Sequence, residues 1–215
     1  MGERTERKGF RAALAHRDFR LLLGSLTTSG IGDWFYNVAL VVYVLDVTDS
    51  SPAWVAAATI GRLAPYILLG SLGGVVADRY DRRKVMMAAD VVRAALMLAL
   101  ALIVVTGAPV AFAVLIAFLS TAAGTPFFPA VAAVTPSVVD EKSLAPANAL
   151  ITTVDSLALA AGPALGGLLL TVAASPVAAF VVNSATFMVS ALMLAGVSTL
   201  PRVEDEQAPE VVPLH

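Results

Sequence analysis

Asp33, Arg62 and Asp155 are ionisable residues set deep inside long apolar stretches of this 215-residue chain. A charge at mid-depth in hydrocarbon is costly, so such a side chain faces a cavity or a partner. Counted from the charged ends of their stretches, Asp33 is about 15 residues in and Arg62 about 16. At about 1.5 Å per residue both lie roughly 22–24 Å from the same edge. The two stretches are consecutive and antiparallel, so the spacing predicts a cavity-facing Asp33–Arg62 pair. Protonating Asp33 would release the arginine, which is the chemistry of a proton-coupled switch. A static pair that orients the hairpin is the plainer alternative. Asp155 has no cation in its own stretch. It is predicted to bind a cationic substrate, to carry a proton, or to pair with Arg62 or Arg93. Tyr36, Asn37, Tyr66 and Asn183 are candidates to line the same cavity, or to act as hydrogen-bonding glue between helices. Trp34 lies well inside its stretch, whereas Trp54 and Tyr43 read as residues of an interfacial aromatic belt.

The elements that must position these groups follow from composition. Hydrophobic residues make up 58% of the chain and charged residues 14%, where a soluble domain carries about a quarter charged. Six apolar runs are each about long enough to cross a bilayer, which takes roughly 20 residues. They are Phe19–Leu45, Ala53–Ala77, Val85–Val105, Val110–Val131, Ala147–Val172 and Val177–Val197. Only a helix satisfies its own backbone within one such segment, so the fold class is all-α, a polytopic membrane bundle. The connections at Asp46–Pro52, Thr106–Pro109 and Ala173–Pro176 carry turn residues. Arg4, Arg7, Lys8, Arg11, Arg17 and Arg20 precede or open the first run. Arg79, Arg82, Arg83 and Lys84 fill the second loop, Lys142 the fourth, and Arg202 follows the sixth. The other loops hold no Lys or Arg. The positive-inside rule therefore predicts that the even loops and both termini are cytoplasmic, in the inner membrane of the cell. Residues 1–18 read as a cytoplasmic segment without the apolar core of a signal peptide. Residues 19–200 read as the bundle, and 201–215 as an acidic tail or the start of a linker.

Two motifs lie on this frame. Gly74-x-x-x-Asp78-Arg79-x-x-Arg82-Arg83 occupies the loop between the second and third runs. Gly162-Pro163-Ala164-Leu165-Gly166-Gly167 lies in the fifth. Gly70 and Gly74, four apart, give a small-residue face on which another helix can approach closely. Pro163 removes a helical hydrogen bond and predicts a kink. Asp90 and Arg93, one to two turns into the third run, are within predicted reach of Asp78 or Arg79. Arg82, Arg83 and Lys84 serve equally well as topology signals and headgroup anchors.

Together these residues resemble the major facilitator superfamily: the first motif resembles its loop between helices two and three, the second the core of its exporters' fifth-helix motif. Gly32-Asp33 and Asn148 are similar to the drug and siderophore exporter branch, which includes macrolide and enterobactin exporters. Asp81 stands where the family has a small residue, and Ala149 and Ala158 where the fifth-helix motif has glycines. The family has two six-helix halves; the resemblance here covers one, over nearly all of Phe19–Leu200. It implies a gating role for Gly74, Asp78, Arg79, Arg82, Arg83, Asp90 and Arg93. For Gly162, Pro163, Gly166 and Gly167 it implies a role in shaping the cavity.

Other chemistries find no support. The chain has no cysteine, and His16 and His215 both lie outside the runs. Nothing suggests a metal site, a serine–histidine dyad or a phosphate-binding loop. No cofactor, enzymatic activity or nucleic-acid partner is expected. Two readings remain. One is a secondary transporter exporting a hydrophobic or amphipathic small molecule against protons, completed as a homodimer or by a separate second half. The other is a non-transporting truncated half or subunit that needs a second six-helix partner.

Overall fold

A computed structural model describes residues 2–198, with side chains from residue 9 onward. The predicted tail from 201 lies outside these described residues. Eight helices follow in order: α1 (Gly2–Ala15), α2 (Arg17–Val47), α3 (Pro52–Arg79), α4 (Arg82–Thr106), α5 (Val110–Gly124), α6 (Phe127–Val138), α7 (Leu144–Ala173) and α8 (Pro176–Ala195), with a 3₁₀ turn at Glu141–Ser143 before α7. Taking α5 and α6 as one broken span, six segments are long and apolar enough to cross a membrane. The chain is an all-helical integral membrane bundle.

The ends of the helices are set by local chemistry. Pro52 and Pro176 occupy first-turn positions of α3 and α8, where a missing N–H costs nothing. Asp81 caps α4 by accepting the Lys84 N–H at 3.1 Å. Gly107 closes α4 with φ of 64°, the left-handed conformation glycine adopts without penalty.

The fourth predicted run ends at 131, but the chain breaks at Thr125–Pro126 and restarts as α6. Pro126 has no N–H to give the Ala122 carbonyl, four residues back. That carbonyl instead accepts the Thr125 N–H at 3.3 Å and its hydroxyl at 2.8 Å. The break is where α3 comes closest: a Cβ at Gly73 would lie 2.7 Å from the Thr125 carbonyl carbon and oxygen. Residues 2–15, read only as a charged segment, form a helix of their own.

Packing does not follow chain order. α8 lies between α2 and α4, α7 packs along α2, and α5 along α3 and α4, whereas the consecutive pair α2 and α3 touch little. α3 and α7 are the least buried spans. Two apolar clusters result. One, at the charged-loop end, joins Phe19, Leu22, Met86, Phe127, Val134 and Leu194. The other joins Tyr36, Leu40, Met97, Leu100, Phe180 and Phe187. Between these two clusters α2, α3, α4, α5 and α8 contribute polar side chains, among them Asp33, Arg62, Asp90, Arg93, Ser120 and Ser190.

Candidate functional site

Arg93 is the centre of the polar layer. Its Nη2 donates to both carboxylate oxygens of Asp33, at 2.7 Å each. The guanidinium carbon lies 4.0 Å above the ring of Phe187, a cation–π contact. Gly124 backs the group: a Cβ there would stand 3.4 Å from Arg93 Nε. α2 supplies the carboxylate, α4 the cation, α8 the ring and α5 the glycine. One turn before Arg93 on α4, the buried Asp90 accepts the Ser190 hydroxyl at 2.6 Å through Oδ2. Its Oδ1 has no partner. Beside it, Gly32 approaches Asn183 and Thr186 so closely that a side chain would collide with both.

These geometries correct the predicted pairing. Asp33 meets Arg93, not Arg62. Equal depth does not make two residues neighbours, and α2 packs on α7 and α8 rather than on α3. Arg62 instead lines the same recess, about 160 Å³ in volume, with Asp33, Tyr36, Asn37, Tyr66 and Arg93. Arg62 and Asn37 also line a larger adjoining hollow of about 320 Å³, walled by Trp34, Val38, Val41 and Ala58. The sequence candidates Tyr36, Asn37 and Tyr66 are thus brought together, while Asn183 packs elsewhere. Asp155 is exposed on α7, lines neither hollow and pairs with neither Arg62 nor Arg93 among the described residues.

The loop motif divides unexpectedly. Asp78 and Arg79 are exposed and reach neither Asp90 nor Arg93, which are engaged at the polar layer. Arg82 and Arg83, equally readable as headgroup anchors, turn inward. Arg82 donates to the Ala133 carbonyl at 3.5 Å and Arg83 to that of Ala195. They tie the loop to the middle of α6 and to the end of α8. A Cβ at Gly70 or Gly74 would meet nothing within 4 Å, so the tight glycine of this stretch of α3 is Gly73. In the second motif, Gly162 and Gly166 let α7 lie against Trp34 and Val38 of α2. Gly167 touches nothing, and Pro163 is exposed on a helix that runs unbroken through it. Tyr43 is buried in the second cluster rather than placed in a belt.

Sequence reasoning missed the Asp90–Ser190 contact and the Asp18 clasp, in which Asp18 accepts the Ser198 N–H at 3.1 Å. It also missed His16, whose Nε2 lies 3.6 Å from Asp140. Asp90 and Arg93, three apart on one helical face, were the readable signal for the first.

Six membrane-length helices enclosing an ion pair beside a recess make an integral membrane protein. The chain belongs to the major facilitator superfamily, whose family model matches residues 22–213. Its relatives include macrolide efflux protein A of Streptococcus pyogenes, 32% identical over 149 residues, which is 69% of this chain and 36% of that protein. The uncharacterized MFS-type transporter YkuC of Bacillus subtilis (strain 168) is 28% identical over 180 residues, 83% of this chain and 41% of that protein. Macrolide efflux protein A of Enterococcus faecalis is 33% identical over 109 residues, 50% of this chain and 34% of that protein. The chain thus spans well under half the length of these curated relatives. No solved structure matches it. Family members are transporters rather than enzymes, and the chain covers one six-helix half of such a protein.

Proposed function

We propose that this chain is one half of a proton-coupled exporter of hydrophobic or amphipathic small molecules, in the inner membrane with both termini cytoplasmic. The observation that carries the reading is the Asp33–Arg93 pair, part-buried and opening into a recess. A buried carboxylate held by one arginine is a two-state element. A proton binding an Asp33 oxygen removes the negative charge that Arg93 holds, and the guanidinium is released. Asp90, one turn away, is then the carboxylate left for Arg93. The efflux named for two relatives supports the outward direction. Substrate would lie near mid-membrane between two six-helix units, with access alternating as the units rock. Exposed Asp78 and Arg79, with the open Gly70 and Gly74, would meet the second unit and gate that motion. The second unit is a further copy of this chain or a separately encoded half.

The test is flux through the assembled transporter in proteoliposomes under an imposed pH gradient. Asp33→Asn is expected to abolish proton-driven accumulation while downhill equilibration of substrate persists. Retained coupling in that variant would remove Asp33 as the proton carrier. The other reading, a non-transporting half, is compatible with the chain's short span of its relatives. It predicts no flux under any gradient until a second half is supplied.

A further inference from the structure

The recess beside the ion pair has a charge that is not balanced from within. Two guanidiniums, Arg62 and Arg93, and one carboxylate, Asp33, line it. Both oxygens of Asp33 are taken by Arg93 at 2.7 Å. Asp90 lies behind, fully buried against Ser190, and does not line the recess. Asp155 is on another face. Arg62 is therefore left without an ion-pair or hydrogen-bond partner among the described residues. A second observation points the same way. Tyr36 lines the recess, is 4% exposed, and its hydroxyl has no hydrogen-bond partner. A buried O–H without an acceptor is destabilising, and a cation in the membrane interior without a counter-ion is more so. The missing partner of both is an acceptor bearing negative charge. The adjoining hollow beyond Arg62 is walled by Trp34, Val38 and Val41, which suit an apolar or aromatic body.

We propose that the site selects amphipathic anions: the ligand's carboxylate or equivalent pairs with Arg62 and accepts from the Tyr36 hydroxyl, while its apolar body fills the hollow against Trp34. This names the substrate class for the cavity beside the ion pair and rests on that cavity being the substrate site. It sets aside Asp155 as a receptor for cationic substrates.

The test is equilibrium binding to the purified full chain in uncharged detergent micelles, which needs neither a gradient nor a second unit. Trp54→Phe leaves Trp34 as the single tryptophan, and energy transfer from it to a dansyl group reports occupancy. Three probes share that fluorophore: dansylglycine is anionic, dansylcadaverine cationic and dansylamide neutral. Dansylglycine is expected to bind saturably and at least about tenfold tighter than dansylcadaverine, a step of about 1.4 kcal/mol. Arg62→Gln should erase that preference, bringing dansylglycine to the affinity of dansylamide. Arg62→Lys should keep most of it, and Tyr36→Phe should lose part. If R62Q does not fold, the Arg62→Lys and Tyr36→Phe variants carry the comparison. Dansylcadaverine binding as tightly, or dansylglycine binding unchanged in R62Q, overturns the proposal. Displacement of dansylglycine by phosphatidylglycerol also overturns it, because the anion would then be a lipid headgroup. Loss of proton coupling in the Asp33 variant bears on the transport reading alone and leaves this result standing.

Discussion

Gly162 and Gly167 stand in one motif, yet only the first touches another helix. A Cβ at Gly162 would collide with the indole of Trp34, whereas one at Gly167 would meet nothing within 4 Å. Overpacking a close helix contact typically costs about 1–3 kcal/mol. Gly162→Ala should therefore destabilise the bundle by about that amount, while Gly167→Ala should be neutral or slightly stabilising through its better helix propensity. Thermal unfolding of the two variants in the same detergent checks this; equal melting temperatures would mean α7 is not seated on Trp34. The same contrast runs through the charged residues. Asp33 and Arg62 were legible as cavity-facing charges because a charge inside a membrane span is too costly to stand without a cavity or a partner. Their partners were not, because rise along a helix gives depth and says nothing of the angle around its axis. Arg93 reached Asp33 through the placement of α8 between α2 and α4, which no pairwise count along the chain contains. Tyr36 was legible as a lining candidate but not as an unpartnered donor, since that depends on what surrounds the hydroxyl.

The spans themselves were legible as apolar runs bounded by Pro, Gly and Asp, and the structure extends most of them by only a few residues. The interruption at Thr125–Pro126 was readable in principle from Gly124-Thr125-Pro126, yet the apolar residues on either side read as one continuous run and periodicity gives no sign of the break. The connection that follows, from α6 to α7, is held by Asp140. It accepts the Ser143 N–H at 3.1 Å and lies 3.6 Å from His16 at the end of α1. Hydrogen bonding from Ser143, with His16 adding to it, holds the exposed Asp140 carboxyl below the usual carboxylate range. A carboxyl depressed in the folded state stabilises above its unfolded pKa, about 3.9 for aspartate. That contribution falls away as pH drops through the lower folded value. Protection of the Ser143 amide against hydrogen exchange, corrected for intrinsic rate, should therefore be constant from neutral pH to about 5 and fall only below about 4. Asp140→Ala should remove the step. A step that persists in Asp140→Ala would assign the turn to another group.

On the scale of the whole molecule, α3 and α7 are the spans that the chain itself leaves least covered. Ile60, Ile67, Leu68 and Leu72 on α3 are exposed, as are Leu157, Leu168 and Val172 on α7. Lipid can cover such side chains, so exposure alone does not distinguish a lipid face from an interface. The glycines do. Gly70 and Gly74 weaken α3 relative to alanine, and a Cβ at either meets nothing within 4 Å, whereas Gly61 and Gly73 of the same helix meet the backbone at Val114 and Thr125. Small residues four apart on an open helical face suit close approach by another helix. The exposed Asp78 and Arg79 lie at the end of that helix. If a second copy docks there, native mass spectrometry of the chain released from membrane-mimetic particles should show a dimer. The double variant Gly70→Leu/Gly74→Leu should then be monomeric with a melting temperature no lower than wild type, because a Cβ at either position meets nothing within 4 Å and leucine is the better helix former. A wild-type monomer would exclude the homodimer and direct the search to a separately encoded half. In that case the same two substitutions should block its capture. A dimer that survives both substitutions would move the interface off α3 and leave the glycines of the loop motif without a packing role.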